Sequence, residues 1–184
     1  MQRLLLLSLL IFSLSFTACE DDADPNLLNY DTANITAPEI LPGDYEMAAR
    51  FTPTETSQYV GQFLEEVQLY FVNRPAFAEI VIYDEGTPST PGQELTSANV
   101  TTDIRSNAWS TLSLSTPVEI SGDDLWIGIR VRHLDPIGTV GCDIGPANPN
   151  GDLFKDGNGN WTTLRDFTNG AININWNIRG VLSE

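Results

Sequence analysis

Trp126, Arg130 and Arg132 are the side chains whose types and spacing point most directly to a chemical role. They lie in a segment, Leu125 to His133, that alternates with the period of two typical of a β-strand, so all three face one side of it. An aromatic ring offers flat apolar contact and a guanidinium group offers planar donors, which suits sugars and carboxylate-bearing glycans. We expect an exposed binding platform here. In the alternative, this face packs under a loop or its arginines form ion pairs with surface acids.

Residues that could support catalysis are few. The sequence contains no Gly-x-Ser-x-Gly elbow, no His-Glu-x-x-His motif and no phosphate-binding glycine loop. His133, the only histidine, shares the parity of Ile127 and Ile129 and is expected to be a structural residue at the inward end of its strand. Cys142 is expected to be a buried apolar residue. A glycoside hydrolase needs only two carboxylates, but nothing among the 25 acidic residues singles out a pair, so we expect no enzyme.

The segment Asp156-Gly157-Asn158-Gly159-Asn160 has the oxygen spacing of the first half of a calcium loop. Trp161 and Phe167 stand where such a loop needs glycine and glutamate, so the motif fails. Asp-Gly and Asn-Gly are favoured in hairpin turns, and we expect one here. Calcium bound elsewhere, through Asp143 or Asp152 and loop carbonyls, stays an open alternative, and no metal or cofactor site is assigned.

The elements that must position these residues are short strands. From Tyr45 onward a period of two dominates, and only the segment from Pro53 to Gln58 could form a helical turn, with Thr54 as its N-cap. Trp109, Trp161 and Trp176 are expected in the core, and the last strand is expected to pair centrally. The pattern predicts an all-β chain, a single jelly-roll-like antiparallel β-sandwich of about nine or ten strands over residues 44–184.

Charge limits the classes of partner. Nine Lys and Arg residues face 25 Asp and Glu residues, for a formal net charge of −16 at pH 7. Nucleic acid is a poor partner for such a surface, because phosphate binding needs clustered Lys and Arg. An acidic balance suits a soluble exterior domain.

The chain begins with one positive charge, Arg3, followed by an apolar run from Leu4 to Phe16 and small residues before Cys19. This order is typical of a secretory signal peptide, and the run is shorter than the about 20 residues that span a bilayer. Phe16-Thr17-Ala18-Cys19 also resembles a bacterial lipobox. The resemblance implies cleavage after residue 18, lipidation of the Cys19 sulfur and acylation of the new amino terminus.

Glu20, Asp21 and Asp22 follow Cys19 directly and resemble the export signal that sends some lipoproteins to the outer cell surface. We therefore expect a lipid anchor in the outer membrane, facing the cell exterior. Residues 19–43 are expected to be an acidic, disordered tether, with signs at Leu27-Leu28 and Tyr30 that its later part lies against the domain.

Four segments together resemble the cleaved-adhesin domains of gingipain-type proteins and accessory β-sandwich domains of secreted peptidases. They are Tyr45-Glu46-Met47-Ala48-Ala49-Arg50-Phe51, Ala78-Glu79-Ile80-Val81-Ile82-Tyr83, Leu125-Trp126-Ile127-Gly128-Ile129 and Asn175-Trp176-Asn177-Ile178-Arg179-Gly180. The resemblance covers most of residues 45–182 and implies a jelly-roll module that binds or adheres without catalysis, some relatives holding calcium. The expected ligand is a glycan or a surface protein. A structural accessory of an outer-membrane complex and a carboxylate-based glycoside hydrolase are the alternatives.

Overall fold

The alternating segments form antiparallel strands in the computed structural model, which describes residues 25–183. In chain order the strands are β1 (Leu27–Leu28), β2 (Glu39–Ile40), β3 (Gly43–Phe51), β4 (Phe63–Phe71), β5 (Phe77–Tyr83), β6 (Glu94–Asn99), β7 (Ala108–Glu119), β8 (Leu125–His133), β9 (Ile137–Gly138), β10 (Leu153–Lys155), β11 (Trp161–Thr163) and β12 (Ile178–Leu182). Two short helices, α1 (Pro53–Thr56) and α2 (Leu164–Phe167), and a 3₁₀ turn at Ser57–Tyr59 lie between them. Twelve strands stand where nine or ten were expected, because strands of two or three residues are too short to show a period.

Two sheets carry the fold. One has six strands in the order β11-β10-β3-β8-β5-β6, and the other has four in the order β1-β12-β4-β7. Strands β2 and β9 form a small ribbon. The chain crosses between the two large sheets on passing from β3 to β4, from β4 to β5, from β6 to β7, from β7 to β8 and from β11 to β12. The expected all-β, jelly-roll-like antiparallel sandwich is confirmed, and the last strand lies between two neighbours as expected.

Apolar side chains of alternate residues fill the space between the sheets. Phe51 of β3, Phe71 of β4 and Ile127 of β8 are fully buried there. Burying a side chain of this size contributes about 1.5–3 kcal/mol relative to leaving it exposed. Trp176 also lies in this core, as the sequence predicts. The residues of opposite parity face outward, where Ala48, Val81 and Trp126 of the six-stranded sheet belong to a second, smaller apolar cluster.

Residues 25–42, which we call the N-terminal strap, belong to the folded domain. Strand β1 pairs with β12, and Leu28 is buried in the core. Tyr30 stacks on Phe51 with ring centroids 5.0 Å apart. The signs at Leu27-Leu28 and Tyr30 that the later part of residues 19–43 lies against the domain are confirmed, and only the assignment of that part to the tether needs correction. Burial of these apolar side chains offsets the chain entropy that the segment loses. Cys19, Glu20, Asp21 and Asp22 lie outside the described residues.

The expected helical turn is present, but its cap differs. Thr52, not Thr54, is the N-cap of α1, and its side chain and that of Glu55 form a capping box. Pro53 fits at the first helical position because it has no N–H to leave unpaired. Between residues 25 and 183, no helix has the length and apolar character needed to cross a membrane.

Candidate functional site

Strand pairing sets a row of charged side chains across the outer face of the six-stranded sheet. Lys155 lies opposite Glu46, Glu46 opposite Arg130, and Arg130 opposite Glu79. The row alternates in sign, and directly opposed charges of opposite sign stabilise adjacent strands. Trp161 pairs with Lys155 and ends the row on one side.

Arg130 is the centre of an ion-pair network. Its guanidinium donates to Glu79 Oε2 at 2.9 Å, to Glu94 Oε2 at 2.7 Å and to Tyr83 Oη at 2.8 Å. Its Nε also lies 3.4 Å from Glu46 Oε2. Because a planar guanidinium offers five fixed donors, these partners hold it in one orientation.

Glu46 is a buried carboxyl group under this network, with 2% of its side chain exposed. Tyr83 donates to Oε1 at 2.5 Å, and Oε2 faces Arg130 and Lys155. Burial raises the pKa of Glu46, and the hydrogen bond from Tyr83 and the nearby cations only partly oppose that rise. Both oxygens are engaged by the protein itself, so this carboxyl group supports the floor of the site and does not present a free edge.

A groove of about 330 Å³ opens beside the network. Its lining residues are Asp44, Tyr45, Glu46, Phe77, Arg130, Val131, Arg132, Lys155, Asp156, Gly157 and Gly159. At its rim Arg132 donates to Asp44 at 2.7 Å, and both side chains are more than half exposed. Its size falls at the lower end of the range of small-molecule sites, about 300–1,000 Å³. We call this cavity the outer-sheet groove.

The hairpin turn between β10 and β11 forms one wall of the groove. Asp156 accepts hydrogen bonds from the backbone N–H groups of Asn158 and Asn160, each at 2.9 Å. These bonds lower the pKa of Asp156 and close the turn, while Gly159 adopts a left-handed φ of 87°. The hairpin expected for residues 156–160 is confirmed.

The burial of Trp126 contradicts the expected exposed binding platform. Trp126 faces the same side as Arg130 and Arg132, as its parity predicts, but its side chain is fully buried. Trp161 packs against it edge-on with ring centroids 5.7 Å apart, and Tyr83 belongs to the same apolar cluster. An exposed platform centred on Trp126 is therefore wrong. The alternative, in which the arginines form ion pairs with acids, describes Arg130 and Arg132.

His133 and Cys142 are buried, as expected. His133 lies at the end of β8 with Nε2 2.7 Å from the Thr139 hydroxyl, and burial lowers its pKa. Burial, with the neighbouring Asp143 charge, raises the pKa of Cys142 to about 11. A thiol in that state is a poor nucleophile at neutral pH.

The two aspartates left open for calcium are engaged in loop structure. Asp143 accepts from the Asn175 backbone N–H at 2.7 Å and from Gly145 N–H at 2.8 Å. Asp152 accepts from Arg165 N–H at 3.1 Å, and burial raises its pKa. Across residues 25–183 no three or more His, Cys, Asp or Glu side chains are grouped as metal ligands would be.

Trp109 and Trp161 are partly exposed, which corrects the expectation that both lie in the core. Trp109 is on the outer face of the four-stranded sheet, where the Arg179 guanidinium lies 4.0 Å from its ring centre. A second polar cavity, of about 320 Å³, lies beside it and includes Arg105. The Arg179 guanidinium occupies one face of this ring, so less of Trp109 is open to a ligand than its partial exposure implies.

The sequence did not identify Glu46 and Lys155 as site residues. Glu46 and Arg130 are 84 residues apart, and no local pattern encodes their pairing. Phe77 and Asp44 reach the groove from two further points in the chain. The one available signal was that Lys155 is the chain's only lysine and adjoins a turn motif.

Comparison of this chain with models of protein families, with curated proteins and with solved structures finds no match.

Proposed function

We propose that this protein is a non-catalytic surface lipoprotein whose β-sandwich binds glycan through the outer-sheet groove. The groove is the observation that supports the proposal most strongly. It brings three of the chain's nine basic residues, three carboxylates and two aromatic rings to one concavity. Hydroxyl groups both donate and accept hydrogen bonds, so a lining of alternating cations and carboxylates matches a sugar better than it matches an apolar ligand.

The state of the Glu46 carboxyl group supports a role without catalysis. A glycosidase needs one carboxyl group as acid and a second that is free to act on the sugar or on water. Glu46 has the raised pKa of an acid, but Tyr83 and the groove cations occupy its oxygens. A protein partner is the second candidate for the groove, and the resemblance to cleaved-adhesin domains is compatible with either ligand.

Display at the outer membrane is supported by the sequence around Cys19. Glu20 is the first of the acidic residues that resemble an export signal, and residue 25 is where the described fold begins. Only five residues lie between Cys19 and residue 25, so the chain can reach at most about 20 Å from the proposed lipid to the described fold. Several acyl chains, at about 0.8 kcal/mol per buried methylene, hold a protein durably on a membrane where a single chain does not.

The test is a glycan array probed with residues 25–184, followed by calorimetry on each hit. We expect a set of saccharides to bind and to be recovered unchanged after incubation. Arg132→Gln should weaken binding because Arg132 lines the groove, whereas Arg105→Gln removes an equal charge elsewhere and should not. Cleavage of a bound saccharide would show an enzyme, and binding weakened equally by both variants would show non-specific attraction.

A further inference from the structure

The geometry points to an uncharged saccharide unit as the ligand of the outer-sheet groove, with Lys155 and Arg132 donating to its hydroxyl groups and Asp44 accepting from them. This inference rests on the proposed function and adds the ligand class and the contact residues.

The charge of the lining disfavours an anionic ligand. Six charged side chains line the groove, three of each sign: Asp44, Glu46, Asp156, Arg130, Arg132 and Lys155. Glu79 and Glu94 bind Arg130 from behind, so the neighbourhood carries more negative than positive charge. An anionic sugar would have to displace carboxylates from their cations, and in a chain of net charge −16 it also approaches against the overall field.

Donor capacity is open at two points of the groove. The Lys155 ammonium has three hydrogen-bond donors. It forms an ion pair with Glu46, but the distance from Nζ to Glu46 Oε2 is 3.8 Å, which is too long for a hydrogen bond. The Lys155 side chain is 36% exposed. Arg132 uses its Nε on Asp44 and is 56% exposed, which leaves its terminal nitrogens facing solvent. These donors lie on different strands, so a ligand can bridge them.

Acceptors and an apolar surface accompany these donors. Asp44 is 69% exposed beside Arg132, and such a carboxylate–guanidinium pair offers acceptors and donors side by side to neighbouring hydroxyls. Asp156 also lines the groove, but its carboxylate oxygens already accept from Asn158 and Asn160 within the turn. The half-buried ring of Phe77 lines the same cavity and can take the C–H face of a sugar ring. Donor, acceptor and apolar contact together describe a neutral polyol.

The sole lysine allows a direct test. Residues 25–184 contain one side-chain amine, Lys155, and one α-amine at the new terminus. An N-hydroxysuccinimidyl acetate ester acylates both, and peptide mass spectrometry measures each rate separately. The probes are glucose-, galactose-, mannose- and N-acetylglucosamine-terminated oligosaccharides, with sialic acid- and glucuronate-terminated ones as the charged set. At a concentration about ten times the calorimetric Kd, occupancy leaves about a tenth of the groove free.

We expect the neutral probes that bind to slow acylation of Lys155 by about tenfold, in line with that free fraction, and to leave the α-amine unaffected. Arg132→Gln should remove this protection at the same probe concentration, and Arg105→Gln should retain it. Charged probes should protect Lys155 little or not at all.

Three results overturn the inference in distinguishable ways. Protection by charged probes that equals protection by neutral ones overturns the ligand class. A probe that binds by calorimetry without changing the Lys155 rate overturns the site and leaves glycan binding standing. Absence of binding by every probe overturns the ligand class and the proposed function together.

Discussion

Trp126 and Trp161 occupy one face of the six-stranded sheet but differ in burial, because Trp161 covers Trp126 and nothing described covers Trp161 to the same extent. The Nε1 of Trp126 finds no hydrogen-bond partner among residues 25–183, so the value of this indole to the fold lies in packed apolar area.

Trp126→Ala is expected to destabilise the domain by about 3–5 kcal/mol, the cost of truncating a fully buried aromatic residue. This corresponds to a fall in Tm of about 6–20 °C for a domain of this size. Trp109→Ala, at a partly exposed ring, should cost clearly less. Urea denaturation followed by circular dichroism measures both, and equal losses would contradict the burial of Trp126.

The raised pKa of Glu46 makes the stability of the fold decrease as the pH rises. Burial raises its folded-state pKa above the ordinary 4.5, so the folded chain binds this proton more readily than the unfolded chain does. The contribution of Glu46 to stability is therefore fully present below pH 4.5 and is lost as the pH rises through the raised folded-state value.

The Glu46→Gln variant cannot titrate at this position and serves as the reference. As the pH falls from 7 towards 4.5, the unfolding free energy of the parent should rise relative to that of the variant. Other carboxyl groups titrate in both proteins and largely cancel in the difference. A difference that stays constant, or that moves the other way, would show that Glu46 is not desolvated.

At the scale of elements, the N-terminal strap ties the two sheets together. Its strand β1 extends the four-stranded sheet through β12, while Tyr30 stacks on Phe51 of the six-stranded one. Asp31 adds an ion pair to Arg179 at 2.9 Å, with its own side chain fully buried. Breaking a buried pair by removing one partner costs about 3–5 kcal/mol.

Removing the strap is expected to abolish cooperative folding. A chain of residues 43–184 loses strand β1, strand β2, the Tyr30 ring and the Asp31 carboxylate at once. Residues 25–184 are the matched control and should show dispersed amide resonances and a single unfolding transition. If the shorter chain unfolds with the same midpoint, the strap is a tether as the sequence first indicated.

How far the sequence predicts these elements depends on their length. Strands β3, β4, β5 and β8 are long enough for a period of two to be visible in the sequence. Pro117 does not interrupt β7, which continues to Glu119. Pro117 near the end of an edge strand loses no ladder bond, because its missing N–H can face away from β4.

The groove was beyond prediction for a topological reason. Parity placed Arg130 on the correct face of β8, but its partners depend on which strands flank β8. Glu46 comes from β3 and Glu79 from β5, and neither neighbour follows from the order of strands in the chain. Local periodicity determines which way a side chain points, whereas the residue beside it is decided by long-range pairing.

At the scale of the whole molecule, the proposed anchor and the groove are separable. Cys19→Ala should abolish lipidation and leave the protein uncleaved or free in the periplasm, because no thiol remains at position 19 to accept the lipid. Replacing Glu20, Asp21 and Asp22 with alanine should keep the lipid but hold the protein inside the envelope. Membrane fractionation tests the first change and protease shaving of intact cells the second. Parent-like behaviour of either variant would contradict the corresponding part of the proposal.

The most direct test of glycan binding in the outer-sheet groove is a nuclear magnetic resonance titration of residues 25–184 with a neutral saccharide selected on the array. The four tryptophan indole N–H signals report on separate places: Trp161 ends the groove's charged row, Trp109 lies on the opposite sheet, and Trp126 and Trp176 are buried. We expect the Trp161 indole and the Gly157 and Gly159 amides to shift with one common Kd while the Trp109 indole stays in place. Shifts confined to Trp109 and the outer face of the four-stranded sheet would contradict the account.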